Sequence, residues 1–137
     1  MRRFEEYSVL GIQKYVLSIV WSLSMETTRG YRDLRVWQRS IDLSLSVYQL
    51  TRGFPKDEMY GLTSQMRRAS VSIPSNIAEG QAKRSLPEFK RFLSIALGSL
   101  AELDTQFILA VRLKYIDPQQ GTACEKDISE IRAMRFH

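Results

Sequence analysis

The longest periodic pattern of apolar residues lies in the second half of the chain. Apolar side chains recur there at alternating spacings of four and three: Phe89, Leu93, Ala96, Leu100, Leu103, Phe107 and Ala110. This spacing keeps one face of an α-helix apolar over three heptads. The preceding Ser85-Leu86-Pro87-Glu88 has the form of a capping box with proline in the first turn. The pattern predicts a long third helix that starts near residue 85 and ends within residues 114–118.

A first helix is predicted over about residues 33–52, and it carries two apolar faces. One face is formed by Leu34, Trp37, Ile41, Leu45 and Tyr48. The other is formed by Val36, Leu43, Val47 and Leu50. A helix that is apolar over so much of its circumference is predicted to be buried on two sides. Gly53 and the following Phe54-Pro55 end it.

A second helix is predicted from residues 55–57 to about residue 83. Its apolar seam ends on a polar residue and consists of Leu62, Met66, Ala69, Ile73 and Asn76. Pro74 lies in the middle of this helix, where it removes one backbone donor and predicts a kink. The hydroxyl groups of Ser70, Ser72 and Ser75 are close enough in sequence to satisfy the freed backbone groups.

A fourth helix is predicted to start at a second capping box, Thr122-Ala123-Cys124-Glu125. It has one apolar face, formed by Cys124, Ile128, Ile131 and Met134. It reaches only about half the length of the third helix, and we expect more helix than residues 131–137 supply. No alternating run of β-branched residues predicts a strand. Short connections favour an all-α, antiparallel up-down-up-down four-helix bundle over residues 31–137, with a short fourth helix.

Residues 1–30 differ from the rest and are predicted to lie outside this fold. A basic start precedes an apolar run over residues 9–23, which is too short and too interrupted to span a membrane. Two acidic residues ahead of the run argue against a signal peptide. We interpret Met25 as a second plausible start and residues 1–24 as an upstream extension. The alternative is an extra amphipathic helix over residues 7–23.

The composition favours binding over catalysis. The net charge of +5 and the pI of about 9.6 favour acidic partners, of which nucleic acid is the commonest. Cys124 is the one cysteine, so no intramolecular disulfide forms, and a reducing, cytoplasmic location is expected. His137 is the one histidine and the last residue, which disfavours zinc sites and catalytic pairs. With no cofactor motif present, we predict no enzyme, no metal and no cofactor.

Six basic residues are the candidates for nucleic-acid binding: Arg67, Arg68, Lys83, Arg84, Lys90 and Arg91. Together they are predicted to form a stripe that contacts the phosphate backbone. The alternative for the arginine pair is ion pairing with carboxylates such as Glu102 or Asp104 of a neighbouring helix. The alternative for the others is an ordinary solvated surface. Glu79 lies nearby, but no histidine, nucleophile or second carboxylate of the same motif supports an acid–base role.

Small residues form a second stripe on the third helix, and they are candidates for helix packing or assembly of subunits: Ser94, Gly98, Ala101 and Thr105. Small side chains let another helix approach closely. Asn76, on the seam of the second helix, is a further candidate. A lone polar seam residue typically fixes register or oligomeric state, or caps broken backbone, and less often contacts a ligand.

Several motifs resemble, in the same order, those of a known family. They are Tyr31-Arg32-Asp33-Leu34-Arg35-Val36-Trp37-Gln38, Phe54-Pro55-Lys56-Asp57-Glu58-Met59-Tyr60-Gly61-Leu62, Gln65-Met66-Arg67-Arg68-Ala69, Ser72-Ile73-Pro74-Ser75-Asn76-Ile77-Ala78-Glu79-Gly80 and Gly98-Ser99-Leu100-Ala101-Glu102-Leu103. The chain resembles the bacterial four-helix bundle proteins encoded within intervening sequences of 23S ribosomal RNA genes. That family includes the accessory variability proteins of diversity-generating retroelements.

The resemblance implies a homo-oligomer, a ring-shaped pentamer, with a basic surface and without catalytic residues. For the retroelement members it implies binding to nucleic acid and to a reverse transcriptase. Two hypotheses follow for this chain. The first is an oligomer that binds RNA or DNA through the basic residues. The second is an accessory subunit that binds a partner protein, such as a reverse transcriptase, which supplies the chemistry.

Overall fold

The computed structural model describes Ile19 and residues 30–134, and its α-helices form a four-helix bundle. The helices are α1 (Arg35–Thr51), α2 (Leu62–Ala82), α3 (Leu86–Arg112) and α4 (Pro118–Ala133), with short 3-10 turns at Tyr31–Asp33 and Lys56–Glu58. The described residues contain no strand. The all-helical prediction is confirmed. The proposed extension over residues 1–30 and its alternative, a helix over residues 7–23, lie outside the described part except for Ile19 and Gly30.

The most extensive contact in the bundle joins α2 to α3, and α1 packs against both α2 and α4. The α2–α3 pair is antiparallel, because Gly80 lies against Phe89 and Phe92 at one end while Ser72 meets Ser99 further along. At Gly80 the approach is so close that an added Cβ would lie 2.7 Å from the Cβ of Phe92. The up-down-up-down order of the whole bundle stays a prediction.

The hydrophobic core lies between all four helices, and α3 supplies the largest share. Every member of its predicted apolar stripe, from Phe89 to Ala110, is buried. It meets buried side chains of the other helices: Leu43, Val47, Met66, Ile73, Ile77, Cys124, Ile128 and Ile131. Burying one such large side chain contributes about 1.5–3 kcal/mol relative to leaving it exposed. By length and composition α3 is also apolar enough to cross a membrane, a criterion that a core helix meets as well.

The prediction that the first helix is buried on two sides is wrong for the single chain. The face that contains Leu43 and Val47 points into the core, and both residues are fully buried. On the other face Leu45 is 58% exposed and Tyr48 is 39% exposed. Only the start of this second face is covered: Trp37 packs against the core and lies 5.4 Å from the ring of Tyr31, whereas Leu45 and Tyr48 lie further along the helix.

Two helix starts differ from the prediction because other residues cap them. Helix α2 begins at Leu62, after the 3-10 turn, where Oε2 of Glu58 accepts a hydrogen bond of 2.8 Å from the backbone N of Leu62. Helix α4 begins at Pro118 rather than Thr122, because Asp117 and Gln120 form the capping box one turn earlier. Helix α3 begins as predicted, with Ser85 as its N-cap.

Helix α2 continues through Pro74, and its freed carbonyl finds a donor on another helix. The Oγ of Ser44 in α1 lies 2.9 Å from the carbonyl O of Ser70, the group that an N–H at position 74 would have bonded, and 3.0 Å from the carbonyl O of Ser40 in its own helix. The prediction that serines of α2 itself satisfy this group is wrong. Ser70 Oγ donates to the carbonyl of Arg67, and Ser72 Oγ bonds Ser99. The predicted kink stays a prediction.

Removal of the Ser44 hydroxyl is expected to destabilise the bundle, because the buried carbonyl of Ser70 loses its donor. We expect Ser44→Ala to lower the free energy of unfolding by about 1–3 kcal/mol in urea denaturation. Ser46→Ala is the matched control, since Ser46 is half-buried on the same helix and makes no side-chain hydrogen bond within residues 30–134. It should change stability by no more than about 0.5 kcal/mol.

Repeating the measurement in a Pro74→Ala background tests whether Ser44 stabilises the bundle by bonding the Ser70 carbonyl. The restored backbone N–H at position 74 can bond the Ser70 carbonyl, so the Ser44 substitution should then cost about as little as the control. An equal cost in both backgrounds would contradict the role given to Ser44.

Candidate nucleic-acid interface

The six predicted basic residues lie in two clusters rather than one stripe. The groove cluster consists of Arg67 and Arg68, in the first half of α2. The corner cluster consists of Lys83, Arg84, Lys90 and Arg91, where α2 passes into α3. From Arg68 to Lys83 the axis of α2 advances about 22 Å, at 1.5 Å per residue. The structure therefore does not bring all six residues together.

Arg67 is held in place by α1 and not by a carboxylate. Its Nε donates a hydrogen bond of 2.9 Å to Oγ1 of Thr51, and its guanidinium carbon lies 4.8 Å from the centre of the Tyr48 ring. Thr51 is itself fixed, because its hydroxyl donates to the carbonyl of Val47 at 2.8 Å. The guanidinium thus has a set position, and its charge is not balanced by an ion pair within residues 30–134.

The alternative in which the arginine pair bonds Glu102 or Asp104 is wrong. Asp104 pairs with Arg132 of α4 at 2.7 Å, and Glu102 accepts a hydrogen bond of 3.2 Å from Gln106. The physical reason is that Arg67 faces α1, whereas these carboxylates lie on α3. Arg68 is exposed and makes no ion pair with the described residues.

A surface groove of about 520 Å³ runs past the groove cluster. It is lined by Tyr48, Met59, Thr63, Ser64, Arg67, Arg68, Val71, Ser72 and Ser75. This lining combines two guanidinium groups with several hydroxyl groups, and it includes no carboxylate. Guanidinium and hydroxyl groups are the donors that bind phosphate oxygens. The groove is therefore suited to an anion.

The corner cluster is partly neutralised. Arg91 forms an ion pair of 3.0 Å with Glu88, one turn earlier on α3, and its guanidinium carbon lies 4.5 Å from the centre of the Phe92 ring. Lys83 and Lys90 are exposed and form no ion pair within the described part of the chain. Arg84 is exposed as well, in the left-handed backbone conformation with φ of 50°. Lys83 and Lys90 therefore supply charge that no described carboxylate balances.

The predicted stripe of small residues faces solvent in the single chain. Ser94, Gly98, Ala101 and Thr105 are all exposed, and a Cβ added at Gly98 would meet nothing within 4 Å. The stripe therefore packs against no helix of the described residues, and its role in assembly stays a prediction. The close approaches inside the bundle occur instead at Gly80 and at Gly121, where an added Cβ would lie 2.6 Å from the Cζ of Phe107.

Asn76 belongs to a polar link between α2 and α3. Its Nδ2 donates to the carbonyl of Ser72 at 2.7 Å and to the Oγ of Ser72 at 2.9 Å. Ser72 Oγ in turn shares a hydrogen bond of 2.8 Å with Ser99 Oγ. These contacts favour the packing interpretation of Asn76 over ligand binding, because its amide donor is already bonded to Ser72, which makes the contact with α3.

Two ionisable side chains inside the bundle, Cys124 and Asp127, have raised pKa values, because burial disfavours their charged forms. Cys124 is fully buried, and burial, followed by the charges of Asp127 and Glu125, raises the pKa of its thiol from 9.0 to about 12. Burial also raises the pKa of Asp127, although Arg39 opposes the shift from 3.9 Å away. Within the described residues no three histidine, cysteine or acidic side chains form a group able to hold a metal. His137 lies outside those residues.

Comparison with known families matches residues 32–136 to the model described as 23S rRNA-intervening sequence protein. The chain belongs to this family. The family match covers most of the chain, including every helix of the bundle and both basic clusters. It confirms the resemblance drawn from the motifs.

A solved structure supports the family fold. It is the crystal structure of a protein of unknown function from the S23 ribosomal protein family of Bacteroides thetaiotaomicron VPI-5482. The TM-score is 0.65 at 24% sequence identity, over 73% of this chain and 94% of the other. At this identity the likeness supports the fold alone. No match was found among the curated proteins.

The high pKa of Cys124 predicts an unreactive thiol in the folded chain. At about pH 8 its thiolate fraction is about a thousandfold lower than that of a thiol with the ordinary pKa of 9.0. We expect a chromogenic disulfide reagent to label Cys124 only after unfolding in urea. In Ser129→Cys, which adds a thiol at an exposed position of α4, one thiol per chain should react rapidly without urea. Equally rapid reaction of the unsubstituted folded chain would contradict this prediction.

Proposed function

We propose that the chain is a non-catalytic protein that binds nucleic acid through its two basic clusters. The observation that carries this proposal is the groove beside Arg67 and Arg68. Two arginines and several hydroxyl groups line it, no carboxylate does, and one guanidinium is already fixed by Thr51 and Tyr48. Such fixed, unneutralised donors favour binding of a phosphate backbone.

The hydrogen bond to Thr51 uses only Nε of Arg67, which leaves the two terminal nitrogens of the guanidinium for a ligand. A fixed guanidinium loses less side-chain entropy when it binds, so its contact with a phosphate is stronger than that of a free one. The corner cluster lies about 22 Å further along α2. That separation corresponds to about six base-pair steps of a nucleic-acid duplex. A ligand must therefore extend over about that length to contact both clusters.

The family supports RNA as the first ligand to test. Its description, 23S rRNA-intervening sequence protein, associates its members with ribosomal RNA. The net charge of +5 agrees with a polyanionic partner. A cytoplasmic location, as expected from the single cysteine, places the protein in the compartment where such a ligand occurs.

A second proposed function is assembly, and it rests on the outer face of α3. Next to the exposed small residues, Ile108 is 47% exposed and Leu109 is 49% exposed, so this face is apolar as well as small. We propose that it contacts another copy of the chain in a homo-oligomer, for which the family resemblance implies a pentamer. The alternative occupant is a partner protein such as a reverse transcriptase, for which the chain would be an accessory subunit.

Charge reversal at one exposed residue of each cluster tests nucleic-acid binding. We expect Arg68→Glu combined with Lys90→Glu to weaken binding of structured RNA at least about tenfold in electrophoretic shift assays. Each lost phosphate contact removes about 0.9 from the slope of log affinity against log salt, so the slope should fall by about 2. The loss should be similar for RNAs of different sequence, since phosphates carry no sequence information.

The control for this double variant is Arg35→Glu combined with Lys126→Glu, which makes the same change in net charge at exposed positions of α1 and α4. It should retain most of the affinity. Binding that is absent from the unsubstituted protein, or that does not depend on salt, would refute the proposal. An equal loss in the control would show that net charge, and not the clusters, determines affinity.

Assembly is tested by placing a large charged side chain on the outer face of α3. Ala101 is exposed, so Ala101→Arg should leave the subunit folded but prevent close approach of another helix. We expect its molar mass in light scattering to fall to that of one chain of 15.9 kDa. Ala133→Arg, at an exposed position near the end of α4, should keep the mass of the unsubstituted protein. A monomeric unsubstituted protein would contradict the proposal.

A further inference from the structure

Tyr60, in the turn between α1 and α2, is 97% exposed. Tyrosine is usually partly buried in folded proteins, because its ring is largely apolar. Here both faces of the ring are open to solvent. Neither the core nor the packing between helices accounts for a tyrosine in this position.

The backbone on both sides of Tyr60 is fixed by hydrogen bonds. The N–H of Met59 donates to the carbonyl of Lys56 at 3.1 Å, and the N–H of Gly61 donates to the carbonyl of Glu58 at 3.0 Å. The Glu58 carboxylate then accepts from the N–H of Leu62 at 2.8 Å. The ring is thus presented by an ordered turn, which lowers the entropy lost when a ligand binds to it.

The turn adjoins the groove that holds the arginine pair. Met59, the residue before Tyr60, is one of the groove-lining residues and is 53% exposed. Across the groove, the guanidinium of Arg67 covers the ring of Tyr48, and Arg68 is exposed beside it. Tyr60 therefore lies at the same end of α2 as the arginine pair and is joined to the groove through Met59.

We propose that this end of the bundle binds unpaired nucleotides, with a base stacked on Tyr60 and the adjoining phosphates bound by Arg67 and Arg68. This inference rests on the proposed nucleic-acid binding and specifies its ligand as single-stranded. The faces of paired bases are covered by their neighbours in a duplex, whereas unpaired bases are free to stack on an aromatic ring. Stacking accepts any base, so little sequence preference is expected at this site.

A two-fold contact with a second copy of the chain fits this surface less well than nucleic acid does, and a ring contact, in which unlike patches meet, is distinguished by light scattering. In a two-fold interface the same surface patches meet, so Arg67 and Arg68 of one copy would face those of the other. Like charges without intervening carboxylates would repel each other, and the groove lining offers no carboxylate. A polyanionic ligand instead neutralises both arginines.

Fluorescence anisotropy with the full chain tests the inference. The probes are a labelled RNA of about twelve nucleotides without self-complementarity, and the same strand annealed to its complement. We expect the unsubstituted protein to bind the single strand more tightly. Tyr60→Ala should weaken single-strand binding about tenfold and change duplex binding less than about twofold. Tyr60→Phe, which keeps the ring, should retain the single-strand affinity, and the salt dependence should be the same in all three proteins.

Each other outcome has a distinct meaning. If both probes bind with strong salt dependence and Tyr60→Ala weakens neither or weakens both equally, the stacking site is refuted while nucleic-acid binding stands. If the unsubstituted protein binds neither probe, the proposed function fails, and this inference fails with it. If Tyr60→Ala lowers the molar mass in light scattering, the surface is a contact between subunits and the inference is overturned. A thermal melt by circular dichroism confirms that the variants are folded.

Discussion

The close packing of α2 against α3 is the constraint on which the rest of the structure depends. Gly80 lets the two backbones approach until an added Cβ would overlap Phe92, and the hydrogen bond between Ser72 and Ser99 fixes their register further along. Because the pair is fixed at both points, α2 presents the corner cluster at one end and the arginines of the groove toward the other. The distance between the two basic clusters is thus set by the helix pair and not by the loops.

Pro74 makes α2 dependent on α1 as well. Its missing N–H leaves the Ser70 carbonyl without a donor from its own helix, and Ser44 of α1 supplies one. About two turns further along α1, Thr51 fixes the guanidinium of Arg67. The contacts that repair the proline break and the contact that orients the arginine therefore belong to one surface between two helices. Stability and the shape of the groove are coupled through α1.

The sequence predicted the helices best where one face alone is apolar. Helix α3 has a single buried face, so the period of its apolar residues and the cap at Ser85 were sufficient to predict the helix and its start. Helix α1 has two apolar faces that the pattern cannot rank, and only the positions of α2 and α4 decide that Leu43 is buried while Leu45 is exposed. The starts of α2 and α4 were misplaced because Glu58, inside the predicted second helix, and Asp117, ahead of the predicted fourth helix, bond the first turns of the helices that form. The candidate basic residues were chosen from the sequence and stay candidates, whereas their separation and the exposure of Tyr60 follow only from the fold.

The arginine in the groove differs from several other arginines of the bundle in having no carboxylate partner among the described residues. Where a carboxylate lies near a cation on α3 or α4, the two form a pair: Arg91 with Glu88, Arg132 with Asp104, and Arg39 of α1 with Glu130 at 3.1 Å. At Arg67 the fold places a hydroxyl and an aromatic ring around the guanidinium instead. These neighbours orient the cation without neutralising it, so its field remains directed into the groove. This arrangement of a fixed, unpaired guanidinium in an open groove supports the proposal that the groove binds an anion.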